Sequence, residues 1–241
     1  MTVKLPSNLA DMVDFVAGVK MNVKHDNSTT ADNTVKFALK HELTRVGLSA
    51  KVSESVYGGE SDTKNQTKVV ITGVQFDANQ KLYTEGTYTF STTEGQAGTW
   101  SGTTASAAIS LGDLLNASAV SFGKYSATSG IALEGTTAVS LMKSSDSYLF
   151  LIPVEDLKAS DNMTLTVSYD IVTLDGALSA GYSVSHATKT VTLPDGGLAQ
   201  GKAYSYTLVI NVDGVELSVD SVEDWGTGDT KDVPVDYTNE K

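Results

Sequence analysis

The sequence predicts an all-β fold, a sandwich of sheets packed on a common core. The chain has 241 residues, 40% hydrophobic and 19% charged, which is enough apolar material for one large or two small domains. It contains 21 glycines but only 4 prolines and is rich in Thr, Ser and Val, a composition typical of strands joined by many turns. Several short segments alternate apolar and polar residues between turn signals, which is the pattern of a β-sandwich.

The first predicted strand covers residues 13–23. Its odd-numbered positions are apolar, among them Val13, Phe15 and Val19, while most even-numbered positions are polar. This period of two is typical of a half-buried strand. Residues 25–33 are polar and rich in Asn, Ser and Thr, so we expect a loop there.

The segment 35–52, VKFALKHELTRVGLSAKV, predicts a long strand with one irregularity. The apolar positions are odd-numbered before Thr44 and even-numbered after it, and a β-bulge produces such a change of parity. A helix would also gather several apolar residues on one face, but the strict alternation and the internal Gly47 favour the strand. This interpretation turns His41 toward the core and Glu42 away from it.

The same segment contains His41-Glu42 followed by Arg45, one residue type short of the H-E-x-x-H zinc-protease motif. That chemistry needs a second imidazole one helical turn after the first, and a guanidinium there would repel Zn²⁺. We therefore expect His41 to be a semi-buried structural residue that is hydrogen-bonded within the sandwich. Arg45 is also the only arginine of the chain.

The remaining predicted strands follow in order along the chain and share the same alternation or β-branched composition. They are residues 68–76, 81–90, 138–142, 148–153, 163–172, 189–193, 204–212 and 215–219. The Asp213-Gly214 pair before the last strand is a strong signal for a two-residue hairpin turn. A loop rich in Thr, Gly and Ser is expected around Trp100, and 107–115 is ambiguous, with room for one short helix.

Charge and composition exclude several classes of function. The formal net charge is −12, and residues 213–241 contribute −7 of it, from nine acidic residues and two lysines. Such an acidic chain is not expected to bind nucleic acid or anionic membranes. The absence of cysteine excludes disulfides, cysteine-bound zinc and thiol nucleophiles. No segment has the length and apolarity of a transmembrane span, and residues 1–20 lack the pattern of an export signal.

The sequence predicts no catalytic, metal or cofactor site, and hence no enzyme. It contains no phosphate-binding loop, no nucleophile elbow and no pair of carboxylates spaced for acid–base chemistry. The acidic residues near the C-terminus lack the order of a calcium loop, so we expect a solvated acidic face. Trp100 and Trp225 are interpreted as packing anchors.

The C-terminal residues Val233, Val235 and Tyr237 alternate with polar residues and remain open to three interpretations. They could form a peripheral strand, a disordered tail, or a strand donated to the open sheet edge of a neighbour. The alternation itself does not separate these alternatives.

Four segments, in this order, resemble the fimbrillin-like family, the subunits of surface fimbriae in anaerobic gut and oral bacteria. They are NLADMVDFVAG, VKFALKHELTRVGLSAKV, YLFLIP with MTLTVSYDIV, and GKAYSYTLVINVDGVELSVDSVEDW, and they cover about residues 9–225. The LIP strand and the final G-K-x-Y-x-Y strand, closing on a hairpin and a Trp, are the more specific matches. The family's F-x-H-x-L-[ST] strand is matched with shifted spacing, since Phe37 and His41 are four positions apart.

The resemblance implies transthyretin-like, Greek-key antiparallel β-sandwich domains, an exported lipoprotein precursor and assembly by β-strand exchange. It predicts a non-enzymatic fimbrial (pilus) subunit or adhesin at the cell surface, whose partners are other fimbrial subunits. Because family members usually carry an additional N-terminal domain, we expect residues 1–225 to be the C-terminal domain of a longer precursor. Residues 226–241 would then be an acidic tail or edge strand. The candidate strand-exchange residues are Val13, Phe15, Val19, Val233, Val235 and Tyr237.

A second interpretation is a stand-alone surface module that binds a glycan or a host protein through its loops. The segments 91–106 and 174–188 are the candidate binding loops. The two interpretations differ in their partner, which is another subunit in the first and a host molecule in the second.

Overall fold

The computed structural model describes residues 1–23, 34–57, 66–145, 147–211, 214–225 and 230–234. Most of its regular structure is β, which confirms the predicted all-β class. The strands of the first half are β1 Thr2–Lys4, β2 Val16–Ala17, β3 Thr34–Ala38, β4 Lys40–His41, β5 Thr44–Val52, β6 Thr67–Phe76, β7 Asn79–Thr89, β8 Thr99–Ser106 and β9 Ile109–Ser110.

The second half of the chain continues the same pattern of strands and short connections. Its strands are β10 Ser118–Phe122, β11 Tyr125–Leu133, β12 Val139–Ser140, β13 Leu149–Leu151, β14 Thr164–Leu174, β15 Tyr182–Thr192, β16 Lys202–Ile210, β17 Val215–Asp224 and β18 Thr230–Pro234. The helical pieces are short, and they are α1 Glu54–Tyr57 and the 3₁₀ turns Leu9–Asp11, Gly112–Leu114 and Ala159–Asp161.

Two large sheets share one apolar core. The first has the strand order β10-β11-β6-β14-β15, with β9 paired beside β6, and the second has the order β12-β5-β16-β17, with β13 paired beside β5. Buried side chains from both sheets, such as Leu48 of β5, Ile71 of β6 and Leu165 of β14, belong to one continuous cluster. Burial of these alternating side chains is the main source of stability, at about 25 cal/mol per Å² of apolar surface.

Smaller ladders complete the fold. A three-stranded sheet has the order β1-β7-β8, and the two-stranded ladders β18-β3 and β2-β4 lie outside the large sheets. The described pairings are antiparallel with one exception: β5 and β16 run parallel, and Val46 lies beside Tyr204.

The predicted strand 13–23 is wrong in its extent. Only Val16–Ala17 form a strand there, and a 3₁₀ turn precedes them at Leu9–Asp11. The physical reason is that side-chain contacts and single main-chain hydrogen bonds to distant elements hold this segment. The alternation of apolar residues along the chain cannot predict such contacts. The expected loop at 25–33 lies outside the described residues.

The segment 35–52 consists of three strands, β3, β4 and β5, instead of one. The predicted change of parity is confirmed, because β5 alternates strictly and buries Val46, Leu48 and their even-numbered successors. The predicted outward direction of Glu42 is wrong, since its side chain is fully buried. The chain leaves strand geometry between β4 and β5, so the alternation of faces does not carry through this residue.

Two of the predicted loops also need correction. Residues 99–106, within the expected loop around Trp100, form β8, and residues 182–188 of the second candidate loop belong to β15. The ambiguous segment 107–115 contains β9 and a 3₁₀ turn. The strands β1, β10 and β11 were not predicted, because their Ser, Thr and Ala content gives weak apolar periodicity.

Candidate assembly interface

Residues 34–41 receive strands from both ends of the described chain. β3 pairs antiparallel with β18, with Val233 opposite Val35, and β4 pairs antiparallel with β2, with Val16 opposite His41. Across the described ranges, β3 and β4 have no other strand partner. We call residues 34–41 the docking segment.

The first residues of the chain are fixed by main-chain bonds to β7. The amino group of Met1 donates to the carbonyl of Tyr88 at 2.9 Å, and the amide of Tyr88 donates to the carbonyl of Met1 at 2.8 Å. The amide of Leu5 donates to the carbonyl of Thr84 at 2.8 Å. The side chains of Leu5 and Leu9 are buried in the main core, so the N-terminal residues are part of the sandwich.

Phe15 anchors the next part of the N-terminal segment. Its ring meets Tyr88 edge to face, with centroids 5.0 Å apart, and Trp100 at 6.0 Å. Its carbonyl accepts a hydrogen bond from the amide of Glu42 at 2.9 Å. Aromatic pairs in such geometry contribute about 0.5–1.5 kcal/mol beyond area burial, so the two ring contacts of Phe15 help to hold this part of the segment in place.

His41 joins the docking segment to both the N-terminal segment and Trp225, the residue that follows β17. Its Nδ1 lies 2.6 Å from Oδ2 of Asp14, and its ring stacks on Trp225 at 4.2 Å with 8° between the planes. His41 is partly buried and hydrogen-bonded, as predicted for a structural residue. The predicted role of Trp225 as a packing anchor is confirmed by this stack and by a second one on Phe150, at 5.2 Å.

The only arginine of the chain completes this aromatic cluster. The guanidinium carbon of Arg45 lies 4.2 Å from the ring centre of Tyr148 and 5.1 Å from that of Trp225. A cation between two aromatic faces is attracted by both ring quadrupoles. Arg45 therefore stabilises the end of β17 against β5.

A buried carboxylate lies beneath the N-terminal segment. The Glu42 side chain is 0% exposed, its Oε2 accepts from Nε2 of Gln200, and its Oε1 has no hydrogen-bond partner within the described ranges. Burial raises the pKa of Glu42, and the nearby Tyr88 hydroxyl and the hydrogen bond from Gln200 oppose this effect. Burial, followed by the nearby Glu42, raises the pKa of the Tyr88 hydroxyl. The backbone carbonyl of Glu42 accepts from Nε1 of Trp100 at 2.8 Å.

The predicted strand-exchange residues have different fates. Val233 lies on β18 and Phe15 directly precedes β2, and both strands pair with the docking segment, whereas Val13 is 77% exposed and Val19 is only partly buried. Val235 and Tyr237 lie outside the described residues.

The sequence interpretation missed three contributors to this site: Leu5, Leu9 and Glu42. For the two leucines, the sequence offered only their short spacing as apolar residues. No sequence pattern could have indicated that Glu42 is buried, since the residues that bury it are distant along the chain.

This arrangement offers main-chain pairing and apolar contact. Within the described ranges, no group of three or more His, Cys, Asp or Glu side chains is placed to hold a metal ion. In the same part of the chain, no helix combines the length and apolarity needed to cross a bilayer. The described acidic residues of β17 are partly paired, since Asp220 accepts from Thr207 and Asp224 forms an ion pair with Lys202.

Comparison with known proteins identifies relatives along nearly the whole chain. Fimbrium subunit Fim1C of Phocaeicola vulgatus is 26% identical over 239 residues, an alignment that covers 97% of this chain and 61% of the relative. The chain thus spans 61% of the length of this curated relative. The crystal structure of a fimbrial protein from Bacteroides vulgatus superposes with a TM-score of 0.74 at 25% identity, covering 93% of this chain and 67% of that one.

The family comparison agrees with the resemblance noted in the sequence. The model of the family described as fimbrillin-like matches residues 4–225, close to the span of the four quoted segments. This match covers most of the 241 residues, and the fold, the relative and the solved structure point the same way. The chain therefore belongs to the fimbrillin-like family.

Proposed function

We propose that this chain is a non-enzymatic subunit of a cell-surface fimbrium and joins other subunits by β-strand exchange. The observation that carries the proposal is the docking segment, which pairs only with the two ends of the described chain. The relatives support the first part, because they are named as a fimbrium subunit and a fimbrial protein. Such a subunit acts outside the cell, after export.

Strand exchange follows from the hydrogen bonds of the docking segment. If β18 leaves β3, the N–H and C=O groups of residues 34–38 that pair with it lose their partners, and an exposed strand edge attracts another extended chain. The same strand of a neighbouring subunit restores these bonds with the same register. Main-chain bonds then supply affinity, and side-chain pockets supply specificity.

We propose that the C-terminal strand exchanges and that the N-terminal segment stays in place. β18 is a five-residue strand whose described pairing is to β3 alone. The N-terminal segment has the ladder to β7, two buried leucines, the Phe15 contact and the ion pair of Lys20 with Glu94 at 2.7 Å. Its release would break many more contacts, so β18 is the easier strand to displace.

This proposal divides the chain into a sandwich domain, residues 1–225, and an exchanged tail, residues 226–241. The division is supported by the main core cluster, which has buried members from Leu5 onward and Trp225 packed against it. It is also supported by the family match, which ends at residue 225.

Size-exclusion chromatography with light scattering tests the exchange. The samples are the full chain, a chain lacking residues 228–241, and each of these mixed with a synthetic peptide of residues 228–241 or with a scrambled peptide. We expect the shortened chain to bind the native peptide one to one and to ignore the scrambled one. We also expect concentration-dependent oligomers of the full chain that disappear on truncation.

Two results would reject the exchange of β18. One is a shortened chain that folds, as judged by circular dichroism, but does not bind the peptide. The other is a series of oligomers that persists unchanged after truncation. In that case the N-terminal segment becomes the candidate, and a chain lacking residues 1–11 tests it in the same assay.

A further inference from the structure

Two clefts adjoin on either side of Gln200. Their volumes are about 550 and 540 Å³, and both are lined by Gln200 and Glu155. Each volume lies within the range of about 300–1,000 Å³ that is usual for small-molecule sites. We call the joined surface the Gln200 cleft.

The residues at the centre of the cleft are held rigidly. Nε2 of Gln200 donates both to the carboxylate of Glu42 and to the carbonyl of Gly98, the latter at 3.1 Å. The backbone amide of Gln200 donates to Oε1 of Glu155 at 2.9 Å. Nε1 of Trp100, in the second cleft, donates to the backbone carbonyl of Glu42 at 2.8 Å. A binding site needs such fixed side chains, because ordering them on binding would cost affinity.

The rigid centre of the cleft rests on Glu42, an unusual residue because it is a buried acid. Its carboxyl group is fully buried, and its Oε1 finds no partner in the described part of the chain. An enclosed carboxylate with an unpaired oxygen is costly, and apolar residues of similar volume would stabilise such a position at least as well. The carboxylate does, however, fix the side-chain amide of Gln200, a residue that lines both clefts. Costly polar groups that position surface side chains are typical of functional sites.

The chemistry of the lining indicates the class of ligand. The second cleft is lined by the aromatic residues Trp100 and Tyr83 and by Thr99, Ser101 and Thr103, which carry hydroxyl groups. Charges of both signs line the two clefts, so neither a strongly anionic nor a strongly cationic ligand is favoured. They are Lys40, Glu155 and Asp224 in the first, and Lys81, Glu155 and Asp156 in the second.

Amide, carboxylate and hydroxyl groups beside an aromatic ring suit a neutral, polyhydroxylated molecule that has both polar edges and an apolar face. We propose that the Gln200 cleft binds a neutral oligosaccharide. Gln200 and Glu155 bond its hydroxyl groups, and one sugar ring lies against Trp100. The first cleft borders the docking segment at Lys40 and His41, which pair with β2, but neither cleft is lined by a residue of the β3-β18 ladder, so saccharide binding does not require the exchange of β18. The clefts include residues of the candidate loop 91–106, and residues 99–106 of that segment form strand β8.

A printed array of neutral, sialylated and sulfated oligosaccharides, probed with the full chain, tests the class of ligand. Isothermal titration with the neutral oligosaccharide of highest signal then tests the site. We expect Glu155→Gln to weaken its binding at least tenfold, because a charged acceptor of sugar hydroxyls is lost while the acceptor for the Gln200 amide remains. Glu134→Gln is the matched control, since Glu134 is exposed and lines neither cleft.

A second variant guards against a folding defect in the first. Thr103→Val removes one hydroxyl group with little change of shape, and we expect it to weaken binding at least threefold with an unchanged melting temperature. The proposal is overturned if no neutral oligosaccharide binds, if only sialylated or sulfated ones bind, or if folded Glu155→Gln and Thr103→Val bind as the wild type does. Light scattering on the same variants reports assembly separately, so failure of the saccharide site and failure of strand exchange give different results.

Discussion

The rings of Phe15 and Tyr88 meet edge to face, with centroids 5.0 Å apart and 86° between their planes. Tyr88 is itself buried, and its hydroxyl accepts from the amide of Gly98 at 3.0 Å. The N-terminal segment is thereby tied to the same network that holds Glu42 and Gln200. Tyr88 therefore takes part both in the contacts that hold the N-terminal segment and in the network beneath the cleft.

Phe15→Ala should lower the free energy of unfolding by about 2 kcal/mol, because a partly buried ring loses its contacts with Tyr88 and Trp100. Val13→Ala is the control and should change it by less than about 0.5 kcal/mol, since Val13 is 77% exposed. Urea unfolding measures both values. Hydrogen exchange should also quicken at the amide of Glu42, which donates to Phe15. Equal effects of the two substitutions would contradict the anchoring role of Phe15.

Gly98→Ala should destabilise the protein by at least about 2 kcal/mol, because the added methyl group would collide with the Tyr88 hydroxyl and the carbonyl of Thr89. Gly176→Ala is the matched control. No atom lies within 4 Å of its added methyl group, so its stability should stay level or rise by up to about 1 kcal/mol. Thermal unfolding of both variants tests this. A mild effect at Gly98 would mean that the turn before β8 relaxes easily.

Glu42→Gln should change how stability depends on pH. Burial raises the pKa of Glu42, so the folded protein holds this proton more tightly than the unfolded chain does. The stabilising contribution of protonated Glu42 is complete below its unfolded pKa and is lost as pH rises through the folded value. The variant should therefore gain stability relative to the wild type as pH rises from about 4 to about 8.

Urea unfolding at several pH values measures this difference, and Glu134→Gln serves as an exposed control whose difference should stay flat. Comparison with the wild type at each pH is essential. Hydrogen bonds from Thr166, Thr164 and Gln75 outweigh the effect of burial and lower the pKa of Asp77, which acts in the opposite direction. A flat difference for Glu42→Gln would show that the carboxyl group is solvated in the folded protein.

Arg45→Met should cost about 1 kcal/mol, because it keeps much of the side-chain length but removes the cation held between Tyr148 and Trp225. Lys51→Met on the same strand is the control and should have a smaller effect, as no aromatic partner of Lys51 occurs in the described ranges. Urea unfolding followed by tryptophan fluorescence reports both stability and the surroundings of Trp225. Identical losses would assign the effect to general charge instead of the aromatic pair.

Local alternation predicted the strands whose faces are set by the core. β6, β14 and β16 contain most or all of their predicted segments, and β5 contains the second half of the segment 35–52, because each has one face buried in the same apolar cluster. Alternation failed at residues 13–23, where the apolar residues do not share a buried face: Ala17 is buried and Val13 is exposed. The apolar residues of this segment make separate contacts with different elements, so their alternation does not mark one buried face of a strand.

The candidate site was harder to predict, since its parts come from distant positions. The C-terminal segment was left open between three alternatives, and its first residues form a peripheral strand on β3. Glu42 is buried by Tyr88 and Gln200, which lie far from it along the chain, so no pattern around residue 42 reports this. The parallel pairing of β5 with β16 is equally invisible in local sequence.

That parallel pairing affects the order in which the strands can fold. β5 is central in its sheet, but the neighbour on one side, β16, comes from residues 202–210. During synthesis, β5 must wait for most of the chain before its sheet can close, and such distant pairing is slow. Meanwhile its apolar side chains are open to unwanted partners. A chain built in this way leaves one edge of β5 unpaired until residues 202–210 have been made.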